Sequence, residues 1–141
     1  MDYVKIRFIA HFEKNELQAE RTVDEIFRSI NPLFSFSKRF WKPQMDIYET
    51  SDEVVILAEI AGVDKNNLNV DISNKAVKIY GERTALLNSE ESVYRIAEIQ
   101  HGKFERSLFL PAPIDTEKMS ASYSNGLLQI RLVKLSADKI K

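Results

Sequence analysis

From residue 43 to residue 134 the chain consists of short apolar runs separated by turn residues, and this pattern constrains the fold more than any other feature. Most runs alternate apolar and polar residues, as in Leu68-Asn-Val-Asp-Ile72, and Asn125-Gly126 is a strong signal for a hairpin turn. Residues 53–60 are almost continuously apolar, which predicts a strand buried on both faces. Roughly eight short strands with turns at intervals of about 8–12 residues predict an all-β fold, a β-sandwich.

A charged residue interrupts one predicted strand. In the run Phe104-Glu-Arg-Ser-Leu-Phe-Leu110, the alternation puts Arg106 on the same face as Phe104, Leu108 and Leu110. A buried and unpaired charge would cost several kcal/mol. Two interpretations stay open. Arg106 either snorkels, with its stem covering apolar surface, or is buried and ties one surface to a carboxylate or carbonyl on another.

Residues 1–40 differ in sequence pattern from the rest of the chain and form a predicted N-terminal arm. Thr22-Val-Asp-Glu25 fits a capping box, and the apolar residues after it recur at helical spacing, which predicts a helix near residues 15–30. Apolar residues at helical spacing usually pack against the protein's own core. Because the sandwich is expected to be complete without the arm, the alternative is that its aromatic side chains are buried in sister subunits or in a bound protein. The aromatic residues of the arm and its end are Phe8, Phe12, Phe27, Phe34, Phe36, Phe40 and Trp41.

A long excursion separates two strands at residues 84–100. Loops of more than about 12–15 residues are usually functional or disordered in a compact domain. The second half of this one, Val93-Tyr-Arg-Ile-Ala-Glu-Ile99, has the character of a strand. Fully extended, the excursion spans at most roughly 55 Å. It could therefore reach a neighbouring subunit and add a strand to that subunit's sheet.

Two further predicted strands carry the alternating sets Leu68, Val70, Ile72 and Met119, Ala121, Tyr123. If these strands lie side by side at a sheet edge, the small Ala121 side chain leaves a shallow apolar slot. The alternative, that all six side chains simply face the core, fits the pattern equally well.

Composition argues against catalysis, cofactors and several classes of partner. The absence of cysteine excludes disulfides and thiolate metal sites, and neither His11 nor His101 has a neighbour at ligand spacing. No phosphate-binding loop or nucleophile elbow is present, and a net charge of −1 gives no footprint for nucleic acid. No apolar run approaches the length of a membrane span. We expect a soluble, cytoplasmic protein that is not an enzyme and uses no metal or cofactor.

Five motifs in residues 41–134 together resemble the α-crystallin domain of the small heat-shock proteins. Each motif alone is weak, but their order and spacing are specific. The resemblance implies an immunoglobulin-like β-sandwich, preceded by the partly helical arm and followed by a short tail at residues 135–141. The motifs are Pro43-x-x-Asp46-Ile-Tyr-Glu-Thr50, Glu59-Ile-Ala-Gly62-Val63, Ile79-Tyr-Gly-Glu-Arg83, Gly102-x-Phe104-x-Arg106-x-x-x-Leu110-Pro111 and Ala121-x-x-x-Asn125-Gly126-Leu127-Leu128.

The resemblance is to the microbial and plant type of this family, and it implies a homodimer made by strand exchange. A strand within about residues 88–100 would pair with residues 45–50 of the partner. Arg106 falls on the family's signature arginine near the dimer interface, where a buried charge specifies which surfaces meet. Asp46 and Glu98 are its candidate partners. The expected interface residues are Asp46, Tyr48, Tyr94, Ile96, Glu98 and Arg106.

The activity implied is that of a stress-response chaperone, an ATP-independent holdase whose aromatic arm binds unfolding proteins. In the family, an Ile-x-Ile tail motif docks in a neighbour's groove. Here Val133-Lys-Leu135 lies too close to the last strand to serve, and Ile140 stands alone. We therefore expect a secure dimer, with larger oligomers depending on the N-terminal arm or on compensating contacts. The groove for a partner's tail or a client is expected at Leu68, Val70, Met119 and Ala121.

The alternative is a co-chaperone-like sandwich that binds one specific folded partner. Modules of that kind lack the long exchange loop, so residues 84–100 and Arg106 argue against it.

Overall fold

The computed structural model describes residues 3–9, 40–85 and 91–136, and these form two four-stranded sheets. The helix expected near residues 15–30 lies outside the described residues. The strands are β1 (Ile6–Phe8), β2 (Met45–Glu49), β3 (Glu53–Glu59), β4 (Leu68–Ile72), β5 (Ala76–Arg83), β6 (Gly102–Phe109), β7 (Ile114–Ser124) and β8 (Leu127–Lys134), with a short 3-10 helix at Lys65–Asn67.

The two sheets have the strand orders β1-β4-β5-β6 and β2-β3-β8-β7. All the pairings are antiparallel except that of β1 with β4, which is parallel. The alternation in the sequence explains the arrangement, because each strand turns one apolar face toward the other sheet. The prediction of a β-sandwich is confirmed.

The hairpin predicted at Asn125-Gly126 forms, and a second hairpin joins β4 to β5. β7 and β8 meet at Asn125 and Gly126, whose φ angles are +53° and +78°. Two successive residues in the left-handed region match the right-handed twist of the flanking strands. Between β4 and β5, the Ser73 hydroxyl accepts hydrogen bonds from the backbone N–H groups of Lys75 and Ala76. Turn chemistry therefore sets the register of both hairpins.

The core lies between the sheets and is built mainly of aliphatic side chains around Phe104. In β3, the consecutive residues Val54, Val55 and Ile56 are fully buried, which confirms that this central strand is covered on both faces. The Tyr123 hydroxyl donates to the Ile60 carbonyl at 2.6 Å and accepts from the Val63 N–H at 3.3 Å. A side chain of β7 thus satisfies buried backbone groups of the turn after β3.

Gly81 in β5 is required by a close approach of the backbone. A Cβ atom added there would overlap the Asn67 carbonyl oxygen and lie 2.8 Å from Cζ of Phe104. Only glycine lets the 3-10 turn before β4 and the Phe104 ring pack against this strand.

Candidate functional site

On one side of the sandwich lie the edge strands β2 of one sheet and β6 of the other, and the backbone of Trp41 pairs with part of β6. Among the described residues, β2 pairs only with β3. Met45 and Ile47 on β2 are half-buried, whereas Asp46 and Tyr48 are exposed. An edge of this kind has unpaired N–H and C=O groups that can accept a further strand.

Arg106 on β6 joins the two sheets at this open side. Its Nη1 donates a hydrogen bond of 2.8 Å to the carbonyl of Pro43, just before β2 begins, and its cross-strand neighbour is the buried Ile79. The side chain is partly buried. This geometry favours the interpretation in which Arg106 ties one surface to a carbonyl on another over the snorkelling interpretation.

The expected carboxylate partners of Arg106 are not its partners here. Within the described part of this chain, neither Asp46 nor Glu98 is hydrogen-bonded to it. Both carboxylates are exposed. Within the described residues of one chain, no second strand pairs with the free edge of β2. A contact between Arg106 and a carboxylate of a second chain could form only in a dimer.

Residues 91–101, called here the exchange segment, run along the surface without forming a strand. The strand expected at residues 93–100 is therefore absent within one chain, because the segment lies on no sheet edge of its own chain. Val93, Ile96 and Ile99 are 73%, 74% and 71% exposed. Tyr94 and Glu98 are exposed as well. The segment thus presents apolar side chains to its surroundings.

Arg83 fixes the end of the exchange segment, a role that the sequence analysis missed. Its Nε and Nη2 donate to the Gln100 carbonyl at 3.0 and 2.6 Å, and its Nη1 donates to the Ala61 carbonyl at 3.1 Å. The guanidinium also lies 4.2 Å from the centre of the Trp41 ring, a cation–π contact. The sequence feature that could have indicated this role is the position of Arg83 at the end of the Ile79-Tyr-Gly-Glu-Arg83 motif.

Trp41 anchors the chain that enters the sandwich. Its Nε1 donates to the Gly102 carbonyl at 3.1 Å, and its ring packs on Phe104 with centroids 5.1 Å apart. Backbone hydrogen bonds with Lys103 and Glu105 pair it with the edge of β6.

Of the predicted client-binding aromatics, Trp41 is thus part of the sandwich, and Phe8 and Phe40 are exposed. Four lie outside the described residues: Phe12, Phe27, Phe34 and Phe36.

The opposite side of the sandwich contains the predicted groove between β4 and β7, called here the β4–β7 groove. Leu68, Val70 and Ala121 are buried and Met119 is half-buried. All four belong to the core or pack against it, as do Ile72 and Tyr123. β4 and β7 belong to different sheets. They are therefore not paired with each other, and the groove lies between the edges of the two sheets.

The slot expected at this groove is already filled by residues 3–9, called here the N-terminal segment. β1 pairs in parallel with β4, and Tyr3 forms an antiparallel bridge to Ser122 on β7. The expectation of a sandwich complete without its N-terminus was wrong, because the side chain of Val4 is part of the core.

An ion pair supports this docking. Arg7 and Asp71 are partners in the β1–β4 register, and the guanidinium contacts the carboxylate at 2.6 Å. Asp71 is only 3% exposed. The hydrogen bond to Asp71, followed by the negative charge of that carboxylate, raises the pKa of Arg7 above its ordinary value. The cation is therefore favoured in the docked segment.

The described residues contain no group of three or more histidine or carboxylate side chains placed to hold a metal ion. In the same part of the chain, no helix is long and apolar enough to cross a membrane.

Comparison with known proteins gives a consistent family assignment. Residues 46–141 match the Hsp20/alpha crystallin family. Small heat shock protein C4 of Rickettsia felis is 29% identical over 91% of this chain and 85% of its own length. Heat shock protein 16 of Schizosaccharomyces pombe is 33% identical over 85% of this chain and 88% of its own length.

Solved structures agree. The chain is similar to heat shock protein 16.0 from Schizosaccharomyces pombe, with a TM-score of 0.63 and 32% identity over 72% of this chain and 94% of that one. A small heat-shock protein from Xylella fastidiosa gives a TM-score of 0.62 and 30% identity over 70% and 91% of the two chains. The fold, the motifs and these matches show that the chain belongs to the Hsp20/alpha crystallin family, the small heat-shock proteins, which are chaperones and not enzymes.

Proposed function

We propose that this protein is an ATP-independent holdase that binds proteins as they unfold and keeps them from aggregating. The observation that carries the proposal is the membership of the chain in the small heat-shock proteins, a family of chaperones, and the large apolar side chains that the described residues expose add to it. Unfolding proteins expose apolar surface of the same kind. Covering it is favourable without an energy source, because apolar burial itself supplies the free energy.

The working unit in this proposal is a homodimer in which the exchange segment of each chain adds a strand to the free edge of the partner's β2. The exposed Tyr94, Ile96 and Glu98 would lie next to Asp46 and Tyr48 of β2. Arg106 sits just beside that edge through its bond to the Pro43 carbonyl. Such an addition would satisfy backbone groups on both chains at once.

The client-binding role of the arm is part of the same proposal. The four phenylalanines outside the described residues, Phe12, Phe27, Phe34 and Phe36, would cover apolar patches on the client. Each buried phenylalanine contributes roughly 1.5–3 kcal/mol. Several arms on one oligomer would add avidity to weak individual contacts.

Light scattering of a heat-labile client tests the proposal. The client is heated in nucleotide-free buffer with rising ratios of the full chain. A parallel series uses a variant in which these four phenylalanines are changed to serine. This variant is sharper than a deletion of residues 1–40, because it keeps the N-terminal segment that closes the core. A Phe109→Ser variant, which removes an exposed phenylalanine from β6, is the matched control.

Suppression of scattering near stoichiometric ratios, lost in the four-site variant and kept in the Phe109→Ser control, is the expected result. Suppression retained by the four-site variant would move the client site onto the sandwich. If the full chain suppresses nothing with several clients, the holdase proposal fails and a single folded partner becomes the better hypothesis.

We also propose a cytoplasmic location for the protein. Cell fractionation that recovers the chain from another compartment would contradict it.

A further inference from the structure

Residues 100–102 form the root of the exchange segment, where the segment joins β6. Two backbone carbonyls of this root accept hydrogen bonds from side chains of the sandwich. The Gln100 carbonyl accepts two from Arg83, at 3.0 and 2.6 Å. The Gly102 carbonyl accepts one of 3.1 Å from Nε1 of Trp41. The root is therefore held at two points that lie two residues apart.

The backbone changes direction at Gly102. Its φ angle is +92°, in the left-handed region that favours glycine. Glycine has the widest choice of backbone conformations, so this turn needs further contacts to define one direction. The hydrogen bonds to the carbonyls of the residues on either side of His101 supply them.

Arg83 is itself tied to three parts of the sandwich. It is the last residue of β5, and it is opposite Gly102 in the β5–β6 register. Its Nη1 donates to the Ala61 carbonyl at 3.1 Å, in the turn after β3, and its guanidinium lies 4.2 Å from the centre of the Trp41 ring. A planar guanidinium with this many contacts has little freedom. It therefore sets the position of the Gln100 carbonyl relative to both sheets.

The sequence of the exchange segment does not by itself define the register in which it would pair with another strand. In an extended conformation, successive side chains point to opposite faces. Each face would have apolar residues and one charge, with Val93, Arg95, Ala97 and Ile99 on one face and Tyr94, Ile96 and Glu98 on the other. A slip by one residue exchanges these two similar faces. A contact outside residues 93–99 is therefore needed to select one register.

We propose that Arg83 is a positioning residue for strand exchange, which fixes the register of the exchange segment on the partner's β2 by holding the Gln100 carbonyl. The inference rests on the homodimer of the proposed function and deepens it. Because the root is fixed, the number of residues between the root and the partner's edge is fixed as well. A root that is already ordered also lowers the entropy that pairing costs. Arg83 acts here through Gln100 and not by touching the partner.

Disulfide mapping tests the proposal, because the chain has no native cysteine. One full-length variant has Tyr48→Cys on β2, and each of five others has a single cysteine at one of positions 93–97. Each chain then has one cysteine, so a link between position 48 and the exchange segment joins two chains. Disulfides form readily only where the Cβ atoms are about 3.5–4.5 Å apart. The yield of each link, measured by mass spectrometry after mild oxidation, therefore reports the register.

In chains that keep Arg83, one position should link to position 48 at least about tenfold more than its sequence neighbours, because these neighbours point to the opposite face. With Arg83→Ala in both partners, the links should spread and this preference should fall to about threefold or less. Arg83→Lys should give an intermediate preference, since lysine keeps the charge but loses the paired hydrogen bonds to Gln100.

Glu82→Ala is the matched control, because it removes the exposed charge that precedes Arg83 in β5 and should keep the tenfold preference. A preference that survives in Arg83→Ala overturns the proposal. A uniform loss of yield at all five positions would overturn it too, because it would show that Arg83 supports only stability. Links that spread over neighbouring positions in chains with Arg83 would mean that no register is fixed.

The same experiment separates this inference from the proposed function. If none of the five positions links to position 48 in chains with Arg83, the strand-exchanged dimer fails, and the positioning role fails with it. In every other outcome the links themselves show that the exchange segment reaches β2 of a second chain, and only the role of Arg83 is decided.

Discussion

Arg7 donates two hydrogen bonds to the carboxylate of Asp71, from Nε to Oδ1 at 3.1 Å and from Nη2 to Oδ2 at 2.6 Å. The two residues are 64 positions apart, and their pairing joins the first strand to the fourth. One partner is exposed and the other is buried. The ion pair therefore adds to the backbone hydrogen bonds that join the N-terminal segment to β4 and β7.

This pair predicts that salt, and not mild changes of pH, loosens the N-terminal segment. The pKa of Arg7 is raised by Asp71, so its contribution is fully present below the ordinary pKa of arginine and is lost only as the pH rises through the higher folded value. Between about pH 6 and pH 9 the Arg7 charge stays constant. Raising the salt concentration to about 1 M screens the exposed partner.

Hydrogen exchange of the amides of residues 4–9, corrected for intrinsic rates, checks this expectation. Protection should fall with added salt and stay flat across the pH range. An Arg7→Gln variant should show low protection at every salt concentration. Protection that is equally high in Arg7→Gln would show that the ion pair does not hold the segment.

Gly81→Ala should destabilise the sandwich by about 3 kcal/mol or more. The new methyl group would overlap the Asn67 carbonyl oxygen and crowd the Phe104 ring, and neither backbone nor a core aromatic ring yields cheaply. Urea unfolding gives the change in free energy. Gly102→Ala is the control, because its Cβ meets nothing within 4 Å, and its left-handed φ of +92° costs only about 1–2 kcal/mol. Equal losses in the two variants would contradict the steric explanation.

Arg106→Ala should weaken the proposed dimer at least about tenfold. The substitution leaves the Pro43 carbonyl without its hydrogen bond, and it removes the side chain that joins β6 to the start of β2. Sedimentation equilibrium measures the dissociation constant. Arg131→Ala removes another strand arginine, one whose pair with Glu53 is exposed, and should leave the constant nearly unchanged. A dimer that tolerates both substitutions equally would exclude Arg106 from the interface.

Arg83→Lys should expose Trp41 and loosen the end of the exchange segment. Lysine keeps the charge, but it loses the planar group that stacks on the indole and donates to the carbonyls of Ala61 and Gln100. Together these contacts contribute about 1–2 kcal/mol.

Trp41 is the only tryptophan of the chain, so quenching of its fluorescence by acrylamide reports this site directly. Quenching should rise in Arg83→Lys and more strongly in Arg83→Ala. Unchanged quenching in both variants would mean that the guanidinium does not cover the ring.

Local signals predicted much of this fold. The turn at Asn125-Gly126 and the doubly buried strand β3 depend on chemistry that lies within a few residues, so both could be inferred correctly. The strand β1 could not be assigned in the same way, although Val4, Ile6 and Phe8 alternate with polar residues. A three-residue strand gains its stability only from a partner edge more than 60 residues away, and no local pattern identifies that edge.

The candidate site was predictable to a similar extent. The family motifs marked Arg106 and Ala121 as candidate site residues. In the structure, Arg106 lies beside the edge strand β2, and Ala121 lies in the β4–β7 groove. The contacts themselves escaped prediction, because the Pro43 carbonyl and the N-terminal segment are not marked by residue type. At residues 93–99 the strand pattern is present, but these residues pair with no sheet edge of their own chain.

The most direct test of the central claim compares a native client with the same client during unfolding. Size-exclusion chromatography with mass detection is run on nucleotide-free mixtures before and after heating. We predict separate peaks before heating and a soluble complex of both proteins afterwards. A complex that forms equally with the native client, or no complex after heating, would contradict the claim that this chain holds unfolding proteins.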